Sequence, residues 1–185
     1  MKTIGLVTHA ETQVRDGGKW CPDPAMTGAG LDRIVRLKSS IAEALGGYPT
    51  EIHCGTGRRQ WQLLQVLGLD GRMELVHVSG LWGDASTIIV DDGKKKVLLG
   101  HGQILDYERY DTARHVGGEI IRNVIRTLPH NSLICSGRPV LVRLGMKPEE
   151  CLSGAVYALA VDTAGQIDIV PKTSGSILLQ SSKTR

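Results

Sequence analysis

Short apolar runs alternate with amphipathic stretches along this chain, and that alternation sets out its elements. Residues 2–8 form an apolar run broken off by His9 and Glu11, which predicts a buried strand opening into a polar loop. Trp20-Cys21-Pro22-Asp23-Pro24 carries two prolines and excludes regular structure there. Leu31, Ile34, Val35, Ile41, Ala42 and Leu45 keep a mostly helical spacing. They predict one helix from Thr27 to Leu45, with Thr27 as N-cap and Gly46-Gly47 as stop.

Glu51 to Cys54 reads as a second strand, Gly55-Thr56-Gly57 as a tight loop, and Arg58 to Leu67 as a helix ending at Gly68. Leu75 to Val78 predicts a third strand. Residues 86–99 predict a hairpin, because Asp92-Gly93 supplies the turn between Thr87–Val90 and Val97–Leu99. Its lysines, Lys94-Lys95-Lys96, are expected to face solvent and protect a sheet edge. Val116, Ile120, Val124 and Leu128 predict an amphipathic helix over residues 113–128. Ser132 to Cys135 reads as a buried strand, Val140 to Leu144 as helical, and Ala155–Ala160 with Gln166–Val170 as a closing hairpin. Strand and helix in alternation imply an α/β domain with a largely parallel sheet, to which the last hairpin adds an antiparallel edge. We expect a single domain over residues 1–180 and a frayed tail over 181–185.

Composition narrows the function classes. A chain of 185 residues can bury one full core. It contains no Phe, so that core must rest on Leu, Ile, Val and Ala. A formal net charge of +3 is too mild to argue for a nucleic-acid partner. No apolar run approaches membrane-span length, so no membrane partner is expected. The four cysteines, Cys21, Cys54, Cys135 and Cys151, form no C-x-x-C pair. We read a reduced, cytoplasmic protein, with Cys54 and Cys135 as buried small hydrophobes. No ligand set for a metal is convincing, and no cofactor is implied.

In such a sheet, ligands gather at the carboxyl ends of the strands. His9 follows the first strand, Arg59 the second, and Ser136-Gly137-Arg138 a later one, so the topology predicts that they converge.

Four segments carry a family resemblance. Leu6-Val7-Thr8-His9-Ala10-Glu11-Thr12 resembles an apolar strand followed by Arg-His-Gly-Glu-Thr. Pro24 to Leu31 is similar to Pro-Leu-Thr-x-x-Gly at a helix start. Cys54 to Gln62 resembles Ser-Ser-Pro-Leu-x-Arg-Ala-x-Gln. Leu133 to Val140 resembles Val-Val-Ser-His-Gly-x-x-Val. In this order they are the signature of the histidine phosphatase (phosphoglycerate mutase-like) superfamily, with residues 70–112 weakly matched.

The resemblance implies a three-layer α/β/α sandwich with a mostly parallel sheet and an antiparallel edge. It implies that His9 is the phosphate-accepting nucleophile and that Arg59 clamps the phosphoryl oxygens. A guanidinium does this bidentately and stays charged. The departures are Thr8 for the first-motif arginine, Ala10 for its glycine, and Ser136 for the second pocket histidine. Thr8 and Ser136 still offer hydroxyls to a phosphate, Ser136 being equally a helix-capping serine. Arg138 and Arg58 are the substitute cations. The general acid is His77 or Asp84, because the segment aligns too poorly to choose. Gly100-His101-Gly102 only copies the late motif superficially.

Two functions follow from the resemblance. One is a phosphatase of weakened or altered activity, a phosphoric monoester hydrolase working through phospho-His9. Its partner is a small phosphorylated molecule or a phosphoprotein. The alternative is a catalytically inactive pseudophosphatase that binds a phospho-ligand in a regulatory role.

Overall fold

The computed structural model describes residues 1–13, 15–16, 19–20, 23–82, 87–91, 94–98, 104–106 and 118–172. The run 2–8 is a strand, β1 (Lys2–Thr8), buried from Ile4 onward. Two short strands, β2 (Arg15–Asp16) and β3 (Lys19–Trp20), pair in the following polar loop; of the stretch 20–24 read as irregular, Trp20 ends β3, while Asp23 and Pro24 are in no strand or helix. The expected helix 27–45 is two helices, α1 (Gly28–Val35) and α2 (Lys38–Leu45). They part because the Leu37 amide bonds Ile34 O (2.9 Å), one residue short of helical spacing, and turns the Leu37 side chain into the core. Thr27 caps α1 as predicted, its Oγ1 accepting from Gly30 N at 3.0 Å.

Strand β4 (Ile52–Cys54) leads into α3 (Arg58–Leu67), whose bounds are those read from the sequence. Gly68 ends α3 at φ 72, a left-handed position that glycine adopts without a Cβ penalty. A 3-10 turn over Asp70–Leu75 precedes β5 (Val76–Val78), shortening the strand expected from residue 75. The predicted hairpin is β6 (Thr87–Asp91) and β7 (Lys94–Leu98), and β8 (Ile104–Asp106), which was not anticipated, joins it in a separate three-stranded sheet. Helix α4 is described over residues 118–127. Strand β9 (Leu133–Ser136), helix α5 (Arg138–Arg143) and the hairpin β10 (Val156–Val161) with β11 (Ile167–Pro171) complete the chain. Asp84, the Gly100-His101-Gly102 stretch, Cys21 and the tail 181–185 lie outside the described residues, as do the hairpin lysine side chains.

The main sheet has the order β11-β10-β1-β9-β4-β5. Strands β1, β9, β4 and β5 are parallel, while β10 runs antiparallel to both of its neighbours. Side-chain alternation then fills both faces, as parallel sheets require. Val7, Leu133, Cys135 and Val156 pack under α1, α2 and α3 with Ile34, Ile41, Leu45, Leu63 and Leu64. Ile4, Leu6, Ile134, Tyr157 and Leu159 pack on the other face with Ile121, Ile125, Val140 and Leu141 of α4 and α5. The result is the three-layer α/β/α sandwich with its antiparallel edge. No helix among the described residues is long and apolar enough to cross a membrane.

One close approach ties a helix to the site. A Cβ added to Gly30 would stand 2.7 Å from Glu11 O and 3.3 Å from Glu11 N, both backbone atoms. At Gly28 nothing lies within 4 Å. Gly30→Ala is expected to lose about 1–3 kcal/mol of stability in urea denaturation. Gly28→Ala is expected to be neutral or to gain up to about 1 kcal/mol. Equal midpoints for the two variants would contradict the contact.

Candidate functional site

The site is built on the carboxyl ends of three adjacent strands. β9 lies between β1 and β4, and its last carbonyls reach to both sides. The His9 amide donates to Ser136 O (2.9 Å), and the Gly55 amide donates to Cys135 O (3.2 Å). The loop carrying His9 and the loop leading to Arg59 therefore hang from consecutive residues of one strand.

A second set of bonds draws them closer. The Thr27 amide donates to Glu11 O (2.9 Å), Gln13 N to Ala25 O (2.8 Å), and Thr12 bridges Met26. Segment 23–26 in turn seats on α3. The Asp23 carboxylate accepts from the Arg58 amide (2.8 Å), and Gln62 Oε1 accepts from the Met26 amide (2.7 Å). His9, half-buried, and Arg59, 8% exposed on the first turn of α3, thus sit on segments that this set of bonds ties together.

The His9 ring has a defined orientation. Its Nδ1 lies 2.9 Å from Ala10 O. A carbonyl only accepts, so Nδ1 carries the proton and Nε2 carries the lone pair in the neutral ring.

Thr8 and Ser136 stand opposite each other in the β1–β9 register, and both are fully buried. Thr8 Oγ1 donates to Leu152 O (2.8 Å) and accepts from the Ala155 amide (3.1 Å). Ser136 Oγ donates to Trp82 O (2.6 Å). Each hydroxyl has one proton, and each spends it on a backbone carbonyl. This corrects the expectation that they offer those hydroxyls to a phosphate: here they fasten the 152–155 loop and the turn before β6 to the sheet. Ser136 does not cap α5 either, since Gly137 stands at its N-cap.

His77 sits in the middle of β5, stacked on His53 with ring centroids 5.0 Å apart and planes at 20°. Strands β9 and β4 separate β5 from β1, roughly 14 Å at ordinary strand spacing. A general acid must come within about 3 Å of its oxygen, so the structure does not bring His77 to His9. Arg138 is exposed at the start of α5 and lies toward Cys151 and Tyr157. Burial pushes the Cys151 thiol up, and the Arg138 charge opposes it. Arg58 is exposed beside Asp23, which takes its amide.

Sequence reasoning missed Asp23 as the cap of α3 and Gln60 as its buried neighbour. Asp23 is a favourable group there, because a carboxylate satisfies a free amide and complements the helix dipole. It lies 35 residues from the amide it caps, so local spacing held no signal. Gln60 is fully buried, and neither amide atom has a hydrogen-bond partner among the described residues. A Cβ at Gly57 would meet Gln60 Oε1 and approach Asp23 Oδ1 to 3.3 Å, so both side chains lie against that glycine. Among the described residues no three His, Cys, Asp or Glu gather as a metal site. An apolar cavity of about 360 Å³, lined by Ile41, Tyr48, Pro49, Leu67, Leu69 and Leu133 among others, opens at the opposite end of the sheet from His9.

No protein-family model matches this chain, and no curated protein matches it in sequence. Solved structures do. A candidate alpha-ribazole-5'-P phosphatase from Escherichia coli superposes with a TM-score of 0.60 at 14% identity, covering 93% of this chain and 96% of its own. The protein histidine phosphatase SixA complexed with tungstate gives 0.57 at 12% identity, covering 90% and 93%. A mycobacterial glucosyl-3-phosphoglycerate phosphatase gives 0.56 at 14% identity, covering 92% and 97%. The fold is the phosphoglycerate mutase-like α/β fold of these neighbours.

Two predictions follow from this geometry. Thr8→Val removes a hydroxyl that serves two buried backbone groups, so it is expected to cost about 1–3 kcal/mol in thermal or urea denaturation. Unchanged stability would remove its structural role. His53 bonds Glu51 (3.1 Å), stacks on His77 and meets the Trp82 edge. Burial pushes its imidazole below the ordinary 6.5, and the Glu51 bond offsets this only in part. The unfolded chain therefore takes up a proton that the folded site resists. His53 contributes stability above pH 6.5 that declines as pH falls below it. Urea midpoints measured down to about pH 5 should fall less steeply in His53→Gln than in the wild type. Parallel curves would refute it.

Proposed function

We propose that this protein binds a phosphomonoester or phosphohistidine group at the rim shared by His9 and Arg59, and hydrolyses it slowly through a phospho-His9 intermediate. The observation that carries this reading is the His9 Nδ1 contact to Ala10 O, which leaves Nε2 as the nucleophilic nitrogen, on a segment that hydrogen bonds tie to that of a buried arginine. The phosphatase identities of the structural neighbours support the same class.

In this reading Nε2 attacks phosphorus, and the N–P bond forms as the bond to the leaving oxygen breaks. That oxygen takes a proton from an acid. Water then attacks the phosphohistidine and gives a proton back to that acid, now a base; the N–P bond breaks, phosphate departs and the ring returns to its neutral form. Arg59 neutralises the phosphoryl oxygens in both steps. With His77 remote, Asp84 is the candidate acid.

Slowness follows from what the cradle has given up. Each preorganised donor removed from such a site costs about 2.7–4 kcal/mol, a hundredfold or more in rate. Thr8 and Ser136 stand where the family keeps an arginine and a histidine, and both hydroxyls face backbone. The same observation favours a second reading, a pseudophosphatase that holds a phospho-ligand without turnover. The buried free thiols of Cys54, Cys135 and Cys151 support a reducing, cytoplasmic setting, with burial pushing Cys54 up to about 12.

The test combines binding and turnover. Inorganic phosphate titrated by calorimetry at low salt is expected to bind the wild type and to lose affinity in Arg59→Ala. A phosphomonoester such as p-nitrophenyl phosphate is expected to leave an acid-labile phosphoenzyme that His9→Ala abolishes. Binding without any phosphoenzyme selects the pseudophosphatase. No binding of phosphate by the folded protein overturns both readings.

A further inference from the structure

Helical spacing places Gly30, Arg33, Ile34 and Leu37 on one face of α1 and its following turn. Ile34 and Leu37 go into the core, and Gly30 meets the Glu11 backbone. Arg33 shares that face, half-buried, and cannot point its charge into the core. Helix side chains tilt toward the N-terminus. For α1 that end abuts Glu11, two residues past His9.

The structure records how the Arg33 side chain is held. Its Nε donates to Gly154 O at 3.1 Å, and the Gly154 amide donates to His9 O at 2.9 Å. The arginine stem runs between Gly154 and Ala10. A Cβ built on Gly154 would meet Arg33 Cδ at 2.9 Å, Ala10 Cβ at 3.0 Å and Arg33 Nε at 3.0 Å. Gly154 also sits at φ +58, so a glycine keeps this channel open on both counts. The guanidinium is thereby anchored by one nitrogen beside the residue that follows His9. Its two terminal nitrogens have no partner among the described residues.

Arg59 rises on α3, which packs against α1. Thr8, where the family keeps its first-motif arginine, faces the opposite layer and is closed off by the 152–155 loop. From these placements we infer that Arg33 supplies the second guanidinium of the phosphate cradle, moved from the strand position at Thr8 to the neighbouring helix. The ligand is a phosphoryl dianion gripped between Arg33 and Arg59 from the helix side of His9. Its net charge of two matches the two fixed cations. Arg33 is then a substrate-binding residue that no strand-end motif contains. This inference rests on the phosphate-binding reading above and specifies the site further.

The test uses the full chain and titrates inorganic phosphate, then tungstate, by calorimetry at low salt. Arg33→Gln keeps the stem and an N–H for Gly154 O but removes the charge, so the fold is expected to hold, which thermal denaturation checks. Its phosphate affinity is expected to fall roughly ten- to a hundredfold. Arg33→Lys, which restores a point charge without the fork, is expected to recover part of the loss. A second variant reaches the same group from the other side. Gly154→Ala, which evicts the Arg33 stem, is expected to weaken phosphate as Arg33→Gln does. Wild-type affinity in Arg33→Gln, while Arg59→Ala is weakened, overturns the assignment and leaves the phosphate-binding reading standing. Failure of the wild type itself to bind phosphate overturns that reading and this one together.

Discussion

Strand β9 is the constraint on which the rest depends. It is buried along its whole length and pairs in parallel with both β1 and β4. Its last two carbonyls take the His9 and Gly55 amides, so two loops far apart in sequence leave the sheet side by side. A parallel sheet delivers this arrangement because all its strands end at the same rim. The core on each face then holds the register: a slip of one residue would exchange Leu133 and Cys135 with Ile134 and Ser136 between the two layers.

At the same rim, two buried hydroxyls are taken up by the framework itself. Thr8 and Ser136 are register partners, and each hydroxyl donates to a backbone carbonyl, Leu152 O and Trp82 O. These bonds favour stability, because leaving a buried polar group unpaired costs about 1–3 kcal/mol.

Much of this was legible in the chain alone. The bounds of α3, the run of β1 and the closing hairpin follow from hydrophobic period and glycine stops, which are local signals. The ordered motifs around His9, Arg59 and Ser136 lie at the carboxyl ends of β1, β4 and β9, which the structure makes neighbours. The break at Leu37 was not legible, because Leu fits helical periodicity whether or not the helix turns there. Nor was the cap from Asp23, which lies between prolines in a stretch without periodicity, nor the stacking of His77 on His53, which requires knowing that β4 and β5 are neighbours in register.

By itself the sequence determined the layering, the parallel sheet and the identity of the groups available for chemistry, since these depend on residue type and short-range spacing. Only the tertiary structure decided what each polar group does with its hydrogen bonds. The Thr8 and Ser136 hydroxyls, His9 Nδ1 and the Arg33 Nε all meet backbone carbonyls, and for Thr8, Ser136 and Arg33 those carbonyls lie 54 to more than 120 residues away. Where a proton goes is set by which acceptor the folded chain places within reach, and spacing along the sequence does not encode that distance.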